Sequence, residues 1–177
     1  MCMKRVVCLL CILLSALIIC TGCVHTNLDE GYSLIRIHIR AESNDARDQA
    51  VKLQVRDAVC AYLESELSDV NDFQSAYDGI EKRLKTIEKI ADEVLSKAGF
   101  GYTARARLNN EYFPTRSYEG IVVESGYYDA LILELGAGKG DNWWCVIYPP
   151  LCYLEANGTG GIRYRSKIKE IWDKYFS

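Results

Sequence analysis

The chain has 177 residues and a formal net charge of −3. That balance excludes the basic stripe of a nucleic-acid binder, and the length allows one ordinary domain with a real core. Twelve tyrosines against four phenylalanines favour half-wet surfaces, because a tyrosine has an apolar body and a polar tip.

Lys4 and Arg5 precede an apolar run from Val6 to Cys20, and Thr21-Gly22-Cys23 follows it. A basic segment, a short apolar run and a small-residue site form the grammar of an export signal. The run is short for a spanning helix, which needs roughly 20 apolar residues. Residues 1–23 are therefore expected to be an export signal. Thr21-Gly22-Cys23 also fits the end of a lipobox, which makes Cys23 the lipidation candidate, against plain cleavage or an uncleaved anchor. One acyl chain binds a membrane only marginally, so a stable anchor through Cys23 would need a second chain or a helper. Residues 24–33 are expected to be a linker, residues 34–155 the folded domain, and residues 156–177 a linker and a C-terminal amphipathic helix.

Within the domain, Ile35, Ile37 and Ile39 alternate with Arg36, His38 and Arg40. This period of two predicts a strand with one wet face, on which His38 meets polar neighbours. Ser43, Asn44 and Asp45 are good caps for a helix from about Ala46 to Leu67. That helix carries two apolar stripes, so it is expected to pack on two sides. Lys52 and Arg56 project between the stripes, where they snorkel into water or pair with a carboxylate. A second helix is expected from about Asp72 to Ala98, with one stripe from Phe73 to Ala98, and Gly99 and Gly101 end it.

From Tyr102 the period returns to two. Tyr102–Leu108, Ile121–Glu124, Tyr127–Leu135 and Trp143–Tyr148 read as strands joined by short turns, and such neighbours pair antiparallel. Gly136–Asp141 reads as a glycine hairpin between two of them. After Asn157-Gly158-Thr159-Gly160-Gly161, a basic amphipathic segment with Ile168, Ile171, Trp172 and Phe176 on one side reads as a short helix that docks on the domain or lies on an anionic membrane. The expected fold is α+β: a mostly antiparallel sheet of about five strands with two long helices packed on it, plus a short C-terminal amphipathic helix.

Gly136-Ala137-Gly138-Lys139-Gly140 lacks the spacing of a phosphate loop, and no helix pattern follows it. Zinc needs three or four ligands, and the domain offers His38 and three cysteines without paired spacing. A nucleophile–His–acid arrangement has only His25 or His38 to recruit. Neither a catalytic set nor a cofactor site is expected. Cys60 reads as a buried small hydrophobe. Six residues separate Cys145 and Cys152, and in an exported protein such a pair is by default a disulfide. An extracytoplasmic thiol–disulfide protein and a lipoprotein binding a small ligand both stay open. What remains is surface. Trp143 and Trp144 are adjacent on a strand, so they point to opposite faces, and an exposed tryptophan with Arg116 nearby would serve as an interface anchor. The alternative is that both are buried.

The segment Asn142–Cys152, preceded by the glycine run, resembles the signature of the stage II sporulation protein R family. Ile35–His38 with Ala41 and Ser43, Asp48–Asp57, Phe113–Arg116 with Tyr118, and Gly126, Tyr128, Ala130 and Leu131 follow the family's order. The chain departs from it at Arg40, Glu42 and Glu124-Ser125. The resemblance covers about residues 34–155. It implies a protein made in the forespore and exported into the space between forespore and mother cell. There the family activates a membrane aspartyl protease that removes the pro-segment of sigma-E, and so acts as a signal and not as an enzyme. Phe113, Arg116, Lys139, Asn142, Trp143 and Trp144 are the candidate contacts with that protease.

Overall fold

The computed structural model describes residues 26–27, 33–118, 121–149, 155–157 and 161–163. The export segment with Cys23, Cys152 and the expected C-terminal helix lie outside the described residues.

The elements run β1 (Thr26–Asn27), β2 (Ile35–Arg40), α1 (Ala46–Leu67), α2 (Phe73–Glu81), α3 (Leu84–Lys97), β3 (Ala104–Phe113), β4 (Arg116–Tyr118), β5 (Ile121–Val123), β6 (Gly126–Leu135), β7 (Asn142–Tyr148), β8 (Glu155–Asn157) and β9 (Gly161–Arg163). The α+β class is observed. The central sheet has four strands in the order β3-β6-β2-β7, and it is mixed: β6 and β2 run parallel, while β3–β6 and β2–β7 are antiparallel. This corrects the expectation of a mostly antiparallel sheet of about five strands. β4 and β5 form a separate small sheet with β1, and β8 pairs β9.

The cause of the difference is the place of β2. Ile37 pairs with Leu131 on β6 and with Cys145 on β7, so the first long strand of the domain lies between two strands that are neighbours in sequence. The segment Gly136–Asp141 is therefore not a hairpin. It carries the chain across the end of β2, and neighbouring strands are about 4.8 Å apart, so it bridges roughly 10 Å.

The helices pack on one face of this sheet. Ile35, Ile37, Ile39, Leu131, Leu133 and Leu135 meet Val51, Val55, Ile87, Ala91 and Leu95 there. Each fully buried side chain of this size contributes roughly 1.5–3 kcal/mol relative to exposure. α1 packs against both α2 and α3, which accounts for its two stripes. The long second helix expected from Asp72 to Ala98 is two helices. Arg83, at φ −104° and ψ 1°, sits between them. Its guanidinium turns back to the Gly79 carbonyl at 2.9 Å and to Glu66 at 2.6 Å. No proline or glycine stands at the break, so the apolar stripe continues through it unmarked.

The caps of α1 also differ from expectation. Asp45 occupies the N-cap position without a side-chain cap bond. Ser43 donates its hydroxyl to Asp48, and the Asn44 carboxamide oxygen accepts from the Asp141 amide at 2.6 Å. These residues hold the chain that crosses over β2. Lys52 and Arg56 are buried and are not solvated stems. Lys52 Nζ donates to the Asp141 carbonyl at 2.8 Å, and Arg56 Nε donates to Asp57 at 2.6 Å.

Candidate functional site

The second face of the central sheet carries the chemistry. Side chains alternate along a strand, so Arg36, His38 and Arg40 of β2 project there together with Val146 and Trp144 of β7, Glu134 of β6, and Arg107, Glu111 and Phe113 of β3. This face is not wet as the alternation predicts. Arg36 and His38 are buried, because β4 and β5 fold over it. The Tyr118 hydroxyl of β4 accepts from Arg36 Nη2 at 2.9 Å, and Val123 of β5 is fully buried.

The face divides into a charged end and an aromatic end. At the charged end Arg40 donates to Glu134 at 2.8 Å and to Glu111 at 2.7 Å. Arg107 donates to Glu134 at 2.7 Å and lies 3.4 Å from Glu111. Two arginines thus share two carboxylates, and the bonds from Arg107 hold the Glu134 carboxyl below its ordinary range. At the aromatic end the His38 ring lies 5.8 Å from Phe113 and 5.4 Å from Trp144. Burial, with the Arg40 charge adding to it, pulls the His38 pKa down, against hydrogen bonds to Asn142 and Glu111 that raise it. Arg36 lies 4.3 Å from the Phe113 ring centroid and 5.1 Å from that of Tyr128.

Among the residues expected to be contacts, the structure brings Arg116 and Trp144 into direct contact. Arg116 of β4 stacks over the Trp144 ring at 4.2 Å, and both are half-buried. Asn142 shares their face and is exposed, and Lys139 is exposed at the crossing turn. Trp143 points to the helix side, where it packs on the core and lies 5.5 Å from Arg56. Phe113 is fully buried and supports the Arg36 guanidinium from within. The two tryptophans thus divide between the faces, and neither is fully buried. Sequence reasoning missed Arg36, Tyr118, Glu111 and Glu134. The alternation of opposite charges on β2, β3 and β6 is a usable signal only once the register that aligns them is known.

The glycine run holds the chain to itself. The Gly140 amide donates to the Ala41 carbonyl at 2.8 Å, the Lys139 amide to the Glu42 carbonyl at 3.2 Å, and the Ala137 amide to the Glu42 carboxylate. Amides that would cradle a phosphate are engaged by residues 41–44, and strand β7 follows instead of a helix. Cys60 is buried, and burial pushes its thiol up to about 12. Cys145 is buried and disulfide-bonded, with its partner outside the described residues. No group of three or more metal-ligating side chains occurs among the described residues, and no helix among them is long and apolar enough to cross a membrane. A depression along α3 is lined by Lys85, Glu88, Lys89, Asp92, Glu93 and Lys97, a charged lining opposite to what a small apolar ligand needs.

Comparison with known proteins places these features in context. Residues 32–158 match the family model described as stage II sporulation protein R. A curated relative, stage II sporulation protein R of Bacillus subtilis (strain 168), is 37% identical over 141 residues. That match takes in 79% of this chain and 60% of the relative's length. No solved structure matches.

Proposed function

Because the chain belongs to the stage II sporulation protein R family and so has a role in sporulation, we propose that it is an exported signal that activates the membrane aspartyl protease processing pro-sigma-E. The observation that carries this reading is the family match across residues 32–158. The protein acts by binding and performs no catalysis itself. It crosses the forespore membrane by means of residues 1–23 and works in the space between the two membranes. Lipidation at Cys23 and the docking or membrane contact of the C-terminal segment keep it near that surface, and Cys152 is the partner of Cys145.

Arg116, Trp144, Asn142 and Lys139 form the contact surface in this reading. An arginine stacked on a half-buried tryptophan joins the residue types most often found as interface anchors. Activation requires that this surface bind the active form of the protease better than the inactive one. A partner that bound both forms equally would shift nothing, however tightly it bound.

The test is reconstitution in a bacterium that does not sporulate. The chain, the protease and pro-sigma-E are co-produced, and processing is followed by immunoblot. Processing that appears only when the chain is exported supports the reading. Processing that is the same with and without the chain removes it.

A further inference from the structure

Arg36 differs from Arg40 and Arg107 on its sheet face. Arg40 and Arg107 each reach both Glu111 and Glu134. Arg36 is fully buried, has the neutral Tyr118 hydroxyl as an acceptor, and its Nε and Nη1 have no partner among the described residues. An arginine keeps its charge in a protein, and a buried donor left unmade costs its full desolvation. Among the described residues the fold pairs Arg40 and Arg107 with carboxylates on this face and leaves Arg36, the most buried arginine, without one.

The surroundings define what can fill the gap. The Phe113 and Tyr128 ring centroids lie 4.3 and 5.1 Å from the guanidinium and 6.2 Å from each other, so the two rings flank it from adjacent sides and supply no charge to pair with it. The unmet need is at its N–H rim, where Nε and Nη1 lack an acceptor among the described residues, and a flat rim of N–H donors fits the two oxygens of a carboxylate. Glu111 and Glu134 on the same face favour a singly charged group over a doubly charged phosphate. The cover over the site belongs to a separate small sheet. β5 pairs with β4 and with β1, and neither β4 nor β5 pairs with a strand of the central sheet. The arm rests on this face through the Tyr118 contact with Arg36, a 3.5 Å contact from the Tyr118 hydroxyl to the Trp144 carbonyl, a 2.9 Å bond from the Tyr128 hydroxyl to the Glu124 carbonyl, and the Arg116 stack. Exchanging the neutral Tyr118 acceptor for an ionised one replaces a weaker bond with a stronger one.

We propose that Arg36 is a binding site for the carboxylate of an acidic side chain on a partner protein, closed in this structure by the β4–β5 arm. Arg116 belongs to that arm and Trp144 lies beneath it, so a protein docking on them reaches the cover of the site. The partner's being a protein rests on the docking reading above. The existence of the site rests on the unpartnered Arg36 rim.

The experiment uses the full chain alone and follows the Arg36 side-chain Nε–H resonance by NMR, assigned by its loss in Arg36→Lys. Acetate, N-acetylglutamate amide, N-acetylglutamine amide and inorganic phosphate are the probes. The two carboxylates shift the resonance saturably and the glutamine derivative does not. Tyr118→Phe removes the competing acceptor and tightens carboxylate binding by roughly three- to tenfold. A stronger response to phosphate than to the carboxylates would overturn the ligand class. No response, or an equal response to the glutamine derivative, would mean that water meets the rim and would overturn the site. No protease is present, so failure here leaves the activation reading standing, and failure of processing leaves this site standing.

Discussion

Replacing Gly140 by alanine tests whether the glycine turn is a clasp over β2. A Cβ built on Gly140 falls 2.1 Å from the Ser43 carbonyl oxygen and 3.0 Å from the Ala41 Cβ. The first obstacle is backbone, which cannot rotate away, so the turn must lift. Lifting it breaks the Gly140–Ala41 and Lys139–Glu42 amide bonds and pulls Asp141 from Lys52. Overpacking of this kind costs about 1–3 kcal/mol, and the lost amide bonds, at about 1 kcal/mol each, bring the sum to about 3 kcal/mol. Gly138 supplies an internal comparison, since its φ is +61° and its nearest obstacle is the flexible Glu134 side chain at 3.2 Å. Alanine there costs about 1–2 kcal/mol for the left-handed backbone. Gly101 has nothing within 4 Å of its Cβ position, so Gly101→Ala stays within about 0.5 kcal/mol of the parent. Urea unfolding followed by tryptophan fluorescence gives the order directly, with the Gly140→Ala midpoint lower by about 1.5 M for a typical m-value. If Gly140→Ala cost no more than Gly138→Ala, the turn would not be seated on residues 41–43, and the placement of β2 between β6 and β7 would lose its support.

Two further outcomes follow from buried titratable groups. His38 has a folded pKa below the model-peptide value of 6.5 because it is buried. The unfolded chain therefore takes up the proton first as pH falls, and stability is lost from about pH 6.5 downward until the folded pKa is reached, with a slope of up to about 1.4 kcal/mol per unit. Wild type should lose more stability than His38→Gln over that window and match its pH dependence between pH 7 and 8; an equal loss in both would contradict the burial argument. Cys60, buried with its thiol raised to about 12, should resist iodoacetamide at pH 8 in the folded protein and react once urea is added. Rapid labelling of the native chain would contradict its place in the core.

Much of the local structure was legible in the sequence, and the long-range arrangement was not. The period of two in Ile35–Arg40 and the two stripes of Ala46–Leu67 gave the correct element types, because both patterns record which side chains are buried. The break at Arg83 left no mark, since its stabilising contacts run to Gly79 and Glu66 and involve no helix breaker. Strand order was the larger miss. Chain proximity suggests that β6 pairs with β7, yet β2 lies between them, and no periodicity encodes that insertion. The same gap hid the site. Arg36, His38 and Arg40 looked solvated because the β4–β5 cover comes from residues some 80 positions away. Arg116 and Trp144 were legible as residue types, and their stacking at 4.2 Å became visible only in three dimensions.

The most direct measurement of the proposed activation is the rate of pro-sigma-E processing in the reconstituted system with Arg116→Ala/Trp144→Ala compared with wild type. Arg116 and Trp144 are both half-buried, and their stack contributes about 1 kcal/mol to stability, so the double variant should fold and be exported normally. The account predicts that its processing falls by at least about tenfold, the loss expected when an interface anchor of about 1.4 kcal/mol or more is removed. Full processing by a folded, exported double variant would contradict it.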